Sequence, residues 1–283
     1  EGQPLCTPCI FQAHRKLGQD VVVTFRHDGC FADMRVPVNL DTEDDGRSLL
    51  TRQHGFRIML GNSNLETDMT QEIVILDGAR TAIGTFGGSL AGTPPIELAT
   101  VACKAALERS GVEGGQIGHV VFGHVINTEP RDMYLSRVAA LQAGVPDTVP
   151  AMNVNRLCGS GAQAIVSVIQ SLMLGDAAFG LAGGAENMSR SPFIVPDQRW
   201  GAKMGDIKTL DMMLGALNCP FGTGHMGVTA ENVAAEHGIS REDQDAFAFR
   251  SQERAEIAVK NGVLAEEITS VSVKQRRGDP IIV

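Results

Sequence analysis

The chain has 283 residues, 43% of them hydrophobic, which suffices for a sizeable core in one or two domains, and its formal net charge of −9 argues against a general nucleic-acid binder, whose phosphate affinity needs clustered Lys and Arg. No apolar run approaches the ~18 residues of a membrane span. The N-terminus lacks a basic-then-apolar secretory layout and acidic residues run from Asp20 to Asp45, so the cytoplasm is the expected compartment.

Six cysteines in a chain this long are not a disulfide framework. Cys6 and Cys9 form a CxxC, but no second pair and no suitably spaced histidines complete a zinc site, so no metal is expected. Residues 1–68 carry scattered Arg, Asp and His and no sustained period apart from Asp20 to Phe25. They read as an extension of unassigned status ahead of a protein that begins at Met69, either disordered or upstream sequence read as protein, with a small folded or targeting module as the rival reading.

From Met69 the pattern alternates. A strand at Ile73 to Leu76 leads through a glycine-rich loop, Gly84 to Gly92, to Thr93, an N-cap candidate with Pro94 at the first helical position. The helix Pro95 to Arg109 ends at Gly111, and Ile96, Ala99, Cys103 and Leu107 share one face, which makes Cys103 a core residue. A strand at Val120 to Val125 and a helix at Arg131 to Ala143 follow, the latter closed by Gly144 and Pro146. His119 and His124 flank that strand; with no partner at ligand spacing they read as structural.

The next unit is AMNVNRLCGSGAQAIVSVIQSLML, residues 151–174. An apolar run to Val154 predicts a strand, Gly159 and Gly161 allow a sharp turn, and a helical run follows, so Cys158 falls at a strand-to-helix turn. A helix N-terminus favours thiolate over thiol, which is how a cysteine becomes a nucleophile. Most free cysteines only pack, but a packing cysteine has no need of Gly-Ser-Gly directly after it. Gln163 and Gln170 are the only large polar groups of the helix, so it is expected to be covered on nearly every side. A strand from Ala177 to Ala182 then stops at Gly183-Gly184, and this alternation predicts an α/β layer with a mostly parallel sheet.

From Arg190 to Met226 the sequence turns to Gly, Met, Pro and single aromatics without a long period. A helix at Thr229 to His237 follows; Ser240 with Asp243 predicts a capping box for a charged, solvated helix toward Asn261, and a strand at Ile268 to Val273 leads to the basic turn Lys274 to Gly278.

NVNRLCGSGAQAI closely resembles the acyl-enzyme cysteine motif of thiolases. ARTAIGTFGGSL from Ala79, TEPRDMYLSRVAA from Thr128, LAGGAENMSRSPF from Leu181 and GHMGVTAENVA from Gly224 extend the resemblance from Met69 to the chain end, with Ala82 departing from a common proline. The resemblance implies a thiolase-like N-terminal α/β domain over residues 69–189, with a mostly parallel sheet and flanking helices, and an inserted loop domain with the start of the return over 190–283. The resemblance implies an N-terminal fragment, with the C-terminal half of such an enzyme not expected among these residues.

The function the resemblance implies is an acyltransferase that condenses acetyl-CoA with a short acyl-CoA, or thiolyses 3-oxoacyl-CoA, through an acyl-cysteine on Cys158. The backbone N–H of Cys158 would steady the oxyanion. Leu217, His225 and Met226 match positions that line the bound thioester. GHMGVTAEN and TEPRDMYLSRVAA are similar to the acetyl-CoA acetyltransferase and bacterial β-ketothiolase branch. Acetyl-CoA, acyl-CoA and coenzyme A are then substrates and partners, no cofactor is required, and homodimers or homotetramers are the family's assemblies. The second cysteine and the GHP histidine of the family do not occur here, so turnover by this chain is not expected. Two other classes stay open: a decarboxylating ketoacyl synthase-type condensing enzyme, and a catalytically incomplete acyl-CoA binder or assembly partner.

Overall fold

The computed structural model describes residues 21–27 and 73–283. Cys6, Cys9 and the remainder of the 1–68 extension lie outside the described residues. Its centre is a five-stranded sheet built from β1 (Val21–His27), β2 (Ile73–Arg80), β3 (Ile117–Gly123), β4 (Ala151–Val154) and β5 (Phe179–Gly184), ordered β2-β1-β5-β3-β4. β3 runs parallel to β4 and β5, whereas β1 runs antiparallel to both of its neighbours. The sheet is therefore mostly parallel, as the alternating pattern predicts.

Helices cover both faces. On one side α1 (Pro95–Ser110) and α2 (Leu135–Gln142) pack Ile96, Ala99, Cys103, Leu107 and Leu135 against Val120, Phe122 and Leu181. On the other, α3 (Ser160–Met173) packs Ala164, Val168 and Leu172 against Val121 and Ala182. Adjacent residues of one strand thus serve opposite cores, which explains why β3 reads as nearly continuous apolar sequence. Each large side chain buried in these layers contributes about 1.5–3 kcal/mol through burial.

α3 lies close to the sheet. A β-carbon at Gly180 would fall 2.3 Å from Val168 Cγ1, so only glycine admits the helix at this distance. Its outer face stays open among the described residues: Val166 is 45% and Met173 54% exposed. An apolar face of this kind is built to be covered by further protein.

Other boundaries shift. Pro94, not Thr93, occupies the N-cap of α1, and Pro95 takes the first turn. The segment from Arg131 is not one helix, because Pro130 to Tyr134 form a 3-10 turn before α2 begins at Leu135. Here Asp132 turns inward to bond Thr128 and Glu129, competing with regular helix.

After β5 come short ribbons and helices. β6 (Phe193–Ile194) pairs with β7 (Leu210–Asp211); α4 (Met212–Leu217) leads into β8 (Asn218–Cys219), which pairs with β9 (Gly224–His225). α5 (Met226–Glu236) starts three residues before the expected Thr229, because His225 itself caps it. α6 (Arg241–Lys260) opens on Ser240, whose Oγ accepts from Asp243 N at 3.0 Å, as the capping box predicts. α7 (Val263–Glu267) precedes the bridge of Ile268 to Arg80, and β10 (Ser272–Val273) pairs with β11 (Ile281–Ile282), so the expected strand from Ile268 is regular only at its end. Among the described residues no helix is long and apolar enough to cross a membrane.

Candidate active site

Cys158 occupies the turn between β4 and α3. The backbone there is wound about one hydroxyl: buried Ser160 Oγ accepts from Arg156 N at 2.8 Å and donates to Leu157 O at 2.6 Å. Gly159 N donates to Arg156 O and Ser160 N to Leu157 O, each at 3.0 Å. Asn155 Oδ1 accepts from Leu157 N at 3.0 Å. Among these bonds Leu157 is held at φ 48, a left-handed value that costs a residue with a β-carbon about 1–2 kcal/mol. Strain of this kind persists only where the surroundings over-determine the backbone.

The result is that Cys158 stands exposed at the tip of the turn, immediately before Gly159, the N-cap of α3. The amides of Gly161 and Ala162, in the first turn of α3, have no intrahelical carbonyl to bond and sit at the positive end of the helix. Arg156 Nη1 donates to Gln163 Oε1 at 2.7 Å, laying a guanidinium along the first turn.

Four of these sequence stretches, those that begin at Ala79, Thr128, Asn153 and Leu181, are tied together by hydrogen bonds beyond the C-terminal ends of the parallel strands. Buried Asn187 donates to Leu90 O at 3.0 Å and Thr93 O at 2.8 Å, while Gly87 N donates to Ser189 Oγ at 2.9 Å, so the segment after β5 holds the glycine-rich loop. Arg190 donates to Gly92 O at 3.0 Å and to Glu129 Oε2 at 3.2 Å. Asn153, on β4, accepts from Ser136 N at 2.9 Å and donates to Asp132 O at 3.0 Å, tying the 3-10 turn to the strand that leads to Cys158.

Behind the turn lies a buried polar cluster that spacing alone did not reveal. His124 follows β3 directly; its N–H donates to Val154 O at 3.1 Å and its Nδ1 lies 2.8 Å from Ala185 O, so Nδ1 carries the proton. Nε2 faces Asp132 Oδ2 at 4.0 Å, and Nδ1 is 3.6 Å from Glu186 Oε1. Glu186 accepts from Val125 N at 2.8 Å and Ile126 N at 3.1 Å. Burial pushes the Glu186 carboxyl above its ordinary range, opposed by His124 and by the two amides. His124 is structural, as its sequence setting suggests, yet it is neither exposed nor fully satisfied: Nε2 and Asp132 Oδ1 are both buried without a hydrogen-bond partner. Among the described residues no His, Cys, Asp and Glu cluster is arranged to hold a metal ion.

His225 lies on the β8–β9 ribbon, and Leu217 and Met226 adjoin the same end of it. Leu217 ends α4 beside Asn218, which pairs with His225, and Met226 opens α5. His225 Nδ1 accepts from Gly227 N at 3.0 Å, which leaves Nε2 as the outward ring nitrogen. Cys219 lies on the same ribbon, and the Thr223 hydroxyl and N–H, with the Phe221 N–H, pull its thiol pKa down. Cys103 is enclosed in the core, where burial drives its pKa far up, so it stays a neutral packing group.

The model for the thiolase N-terminal domain matches residues 73–283. Beta-ketothiolase BktB of Cupriavidus necator is 56% identical over 211 residues, covering 75% of this chain and 54% of that protein. An acetyl-CoA acetyltransferase of the same organism is 48% identical over 211 residues, covering 74% and 53%. The crystal structure of the Bacillus anthracis acetyl-CoA acetyltransferase superposes with a TM-score of 0.69 at 37% identity, over 72% of this chain and 51% of that one. A human mitochondrial 3-ketoacyl-CoA thiolase in complex with CoA gives 0.66 at 34% identity, over 71% and 54%. The chain spans about half the length of the curated relatives it matches. With three quarters of its residues aligned to those relatives and the domain match running from Ile73 to Val283, the chain belongs to the thiolase family.

Proposed function

We propose that this chain supplies the nucleophile half of a cytoplasmic thiolase and that Cys158 is its acyl acceptor. The observation that carries this reading is the exposed sulfur at a strained, hydroxyl-wound turn at the start of α3. The printed names of the relatives, acetyl-CoA acetyltransferase and beta-ketothiolase, support coenzyme A thioesters as substrates.

In the first step Cys158 Sγ attacks the thioester carbonyl. The tetrahedral oxyanion forms beside the Cys158 N–H and the first-turn amides of α3, where each well-placed donor contributes roughly 3–4 kcal/mol. Collapse breaks the carbon–sulfur bond to coenzyme A, which leaves as thiol with the proton that Cys158 gave up; one thioester replaces another. Splitting a hard condensation into two such steps is what covalent catalysis provides. Leu217, His225 and Met226 are assigned to the wall of the thioester pocket, a role supported by their place at one end of the ribbon.

The second step needs a base that takes a proton α to a thioester carbonyl. Cys103 is enclosed and protonated and His124 is buried, so neither serves. The complementary residues belong to the portion of the relatives that this chain does not match, and full turnover requires it. The exposed apolar face of α3 favours a second reading, in which the chain binds acyl-CoA or docks on a partner without chemistry. Incubating the chain and its Cys158→Ser variant with acetyl-CoA separates the two. Acetyl transfer that Cys158→Ser abolishes, with coenzyme A binding retained, supports the acyl acceptor; binding with no acetyl transfer in either protein supports the partner.

A further inference from the structure

The sheet contains a strand that the family match does not. β1 is internal, bonded to β2 on one side and β5 on the other, with Val23 opposite Gly78 and Ala182. It is antiparallel to both neighbours, in a sheet whose other adjacent strands run parallel. Yet the match to the thiolase N-terminal domain begins at residue 73, well after β1.

Adjacent strands lie about 4.8 Å apart, so without β1 a gap of about 10 Å would separate β2 from β5. The facing N–H and C=O groups of both strands would then lie unpaired in the middle of a sheet covered by helices, which native proteins do not leave. The relatives share this fold, with a TM-score of 0.69 over 72% of this chain. They must fill the same gap with backbone from outside the matched region, and 54% coverage leaves nearly half of their length to supply it.

We propose that the gap between β2 and β5 is a strand-docking site, filled in this chain by its own residues 21–27, and that the strand it otherwise takes is an antiparallel segment of the thiolase half outside the match. Main-chain hydrogen bonds to two edges supply the affinity, as when a donor strand completes a sheet. Only one strand fits, so the two occupants exclude one another. The inference rests on family membership and not on the role of Cys158, so it stands or falls apart from the acetyl-transfer test.

Two measurements test it on the full chain. In the first, the double variant Val23→Cys/Ala182→Cys, a pair in register, should close a disulfide under mild oxidation, mapped by peptide mass spectrometry, while the pair Val22→Cys/Ala182→Cys, one residue out of register, should not. In the second, hydrogen–deuterium exchange should show the amides of 21–27 protected by roughly 100-fold or more over an unstructured chain. Adding the separately expressed unmatched half of the Cupriavidus necator beta-ketothiolase should release 21–27 to free exchange while 73–80 and 179–184 stay protected. The oxidised Val23→Cys/Ala182→Cys protein should resist that release. Equal cross-linking of the two cysteine pairs, or free exchange of 21–27 in the chain alone, overturns the occupancy. Continued protection of 21–27 in excess complementary half overturns the exchange.

Discussion

Gly123 and Ser160 meet back to back: a β-carbon at 123 would fall 2.6 Å from the Ser160 carbonyl carbon and 2.8 Å from the Gly161 nitrogen. Both contacts are to backbone, which cannot swing aside, so the end of β3 and the start of α3 are fixed against each other at the turn that carries Cys158. Gly123→Ala should therefore lower stability by about 1–3 kcal/mol through overpacking and displace the turn. Urea unfolding reads the first effect; a fall in the rate at which iodoacetamide labels Cys158 reads the second.

The turn itself makes opposite demands at neighbouring positions. Leu157→Gly should be tolerated, since glycine adopts φ 48 freely, whereas Leu157→Val should cost about 1–2 kcal/mol, because a branched β-carbon suits that region worst. Ser160→Ala should cost about 1–3 kcal/mol by leaving the Arg156 N–H and the Leu157 carbonyl without their shared hydroxyl. Denaturation midpoints of the three variants check the ranking.

The cysteines should differ in their response to alkylation. Cys103 should stay unmodified in the folded chain, because it is enclosed and its thiol is held protonated. The lowered pKa of Cys219 gives it more thiolate near neutral pH than an ordinary cysteine, and the Thr223 hydroxyl is the largest cause. Thr223→Val should move the alkylation–pH profile of Cys219 to higher pH; an unchanged profile would contradict the assigned cause.

Glu186 gives stability a pH dependence of defined sign. Burial raises its carboxyl pKa above the ordinary 4.5, so the folded state holds the proton more tightly than the unfolded chain does. Its contribution is complete below the ordinary value and is lost as pH rises through the raised folded value. The wild type should therefore lose stability relative to Glu186→Gln on going upward through that window, measured as the difference in urea midpoints at successive pH values. A difference independent of pH would show that the carboxyl titrates alike in both states.

Much of the architecture was legible in periodicity. The alternation of apolar runs and capped helical stretches indicated the mostly parallel sheet, because buried strands and amphipathic helices obey different periods. Ser240 with Asp243 marked the start of α6 because the hydroxyl reaches a free amide there. The 3-10 turn at Pro130 was not legible, since its cause is the bonding of the Asp132 carboxylate back to Thr128 and Glu129, a local side-chain choice that hydrophobic period does not mark. The left-handed backbone of Leu157 was hidden for the same reason: no propensity places leucine at φ 48, and the Ser160 hydroxyl and amide with the Asn155 carboxamide hold it there. Glu186 lies far in sequence from His124 and Asp132 and meets them only when the ends of β3 and β5 come side by side. Asp20 to Phe25 stood out as the one strand-like period in the extension, but nothing in it announced an interior place between β2 and β5.

Whether the sulfur of Cys158 accepts the acyl group is read by peptide mapping with mass spectrometry after exposure of the full chain to acetyl-CoA. An acetyl adduct should appear on the peptide that carries Cys158, grow with time and reverse when free coenzyme A is added, with Cys103 unmodified throughout. An adduct found only on Cys219, or none on Cys158 even with the complementary thiolase half supplied, would contradict it.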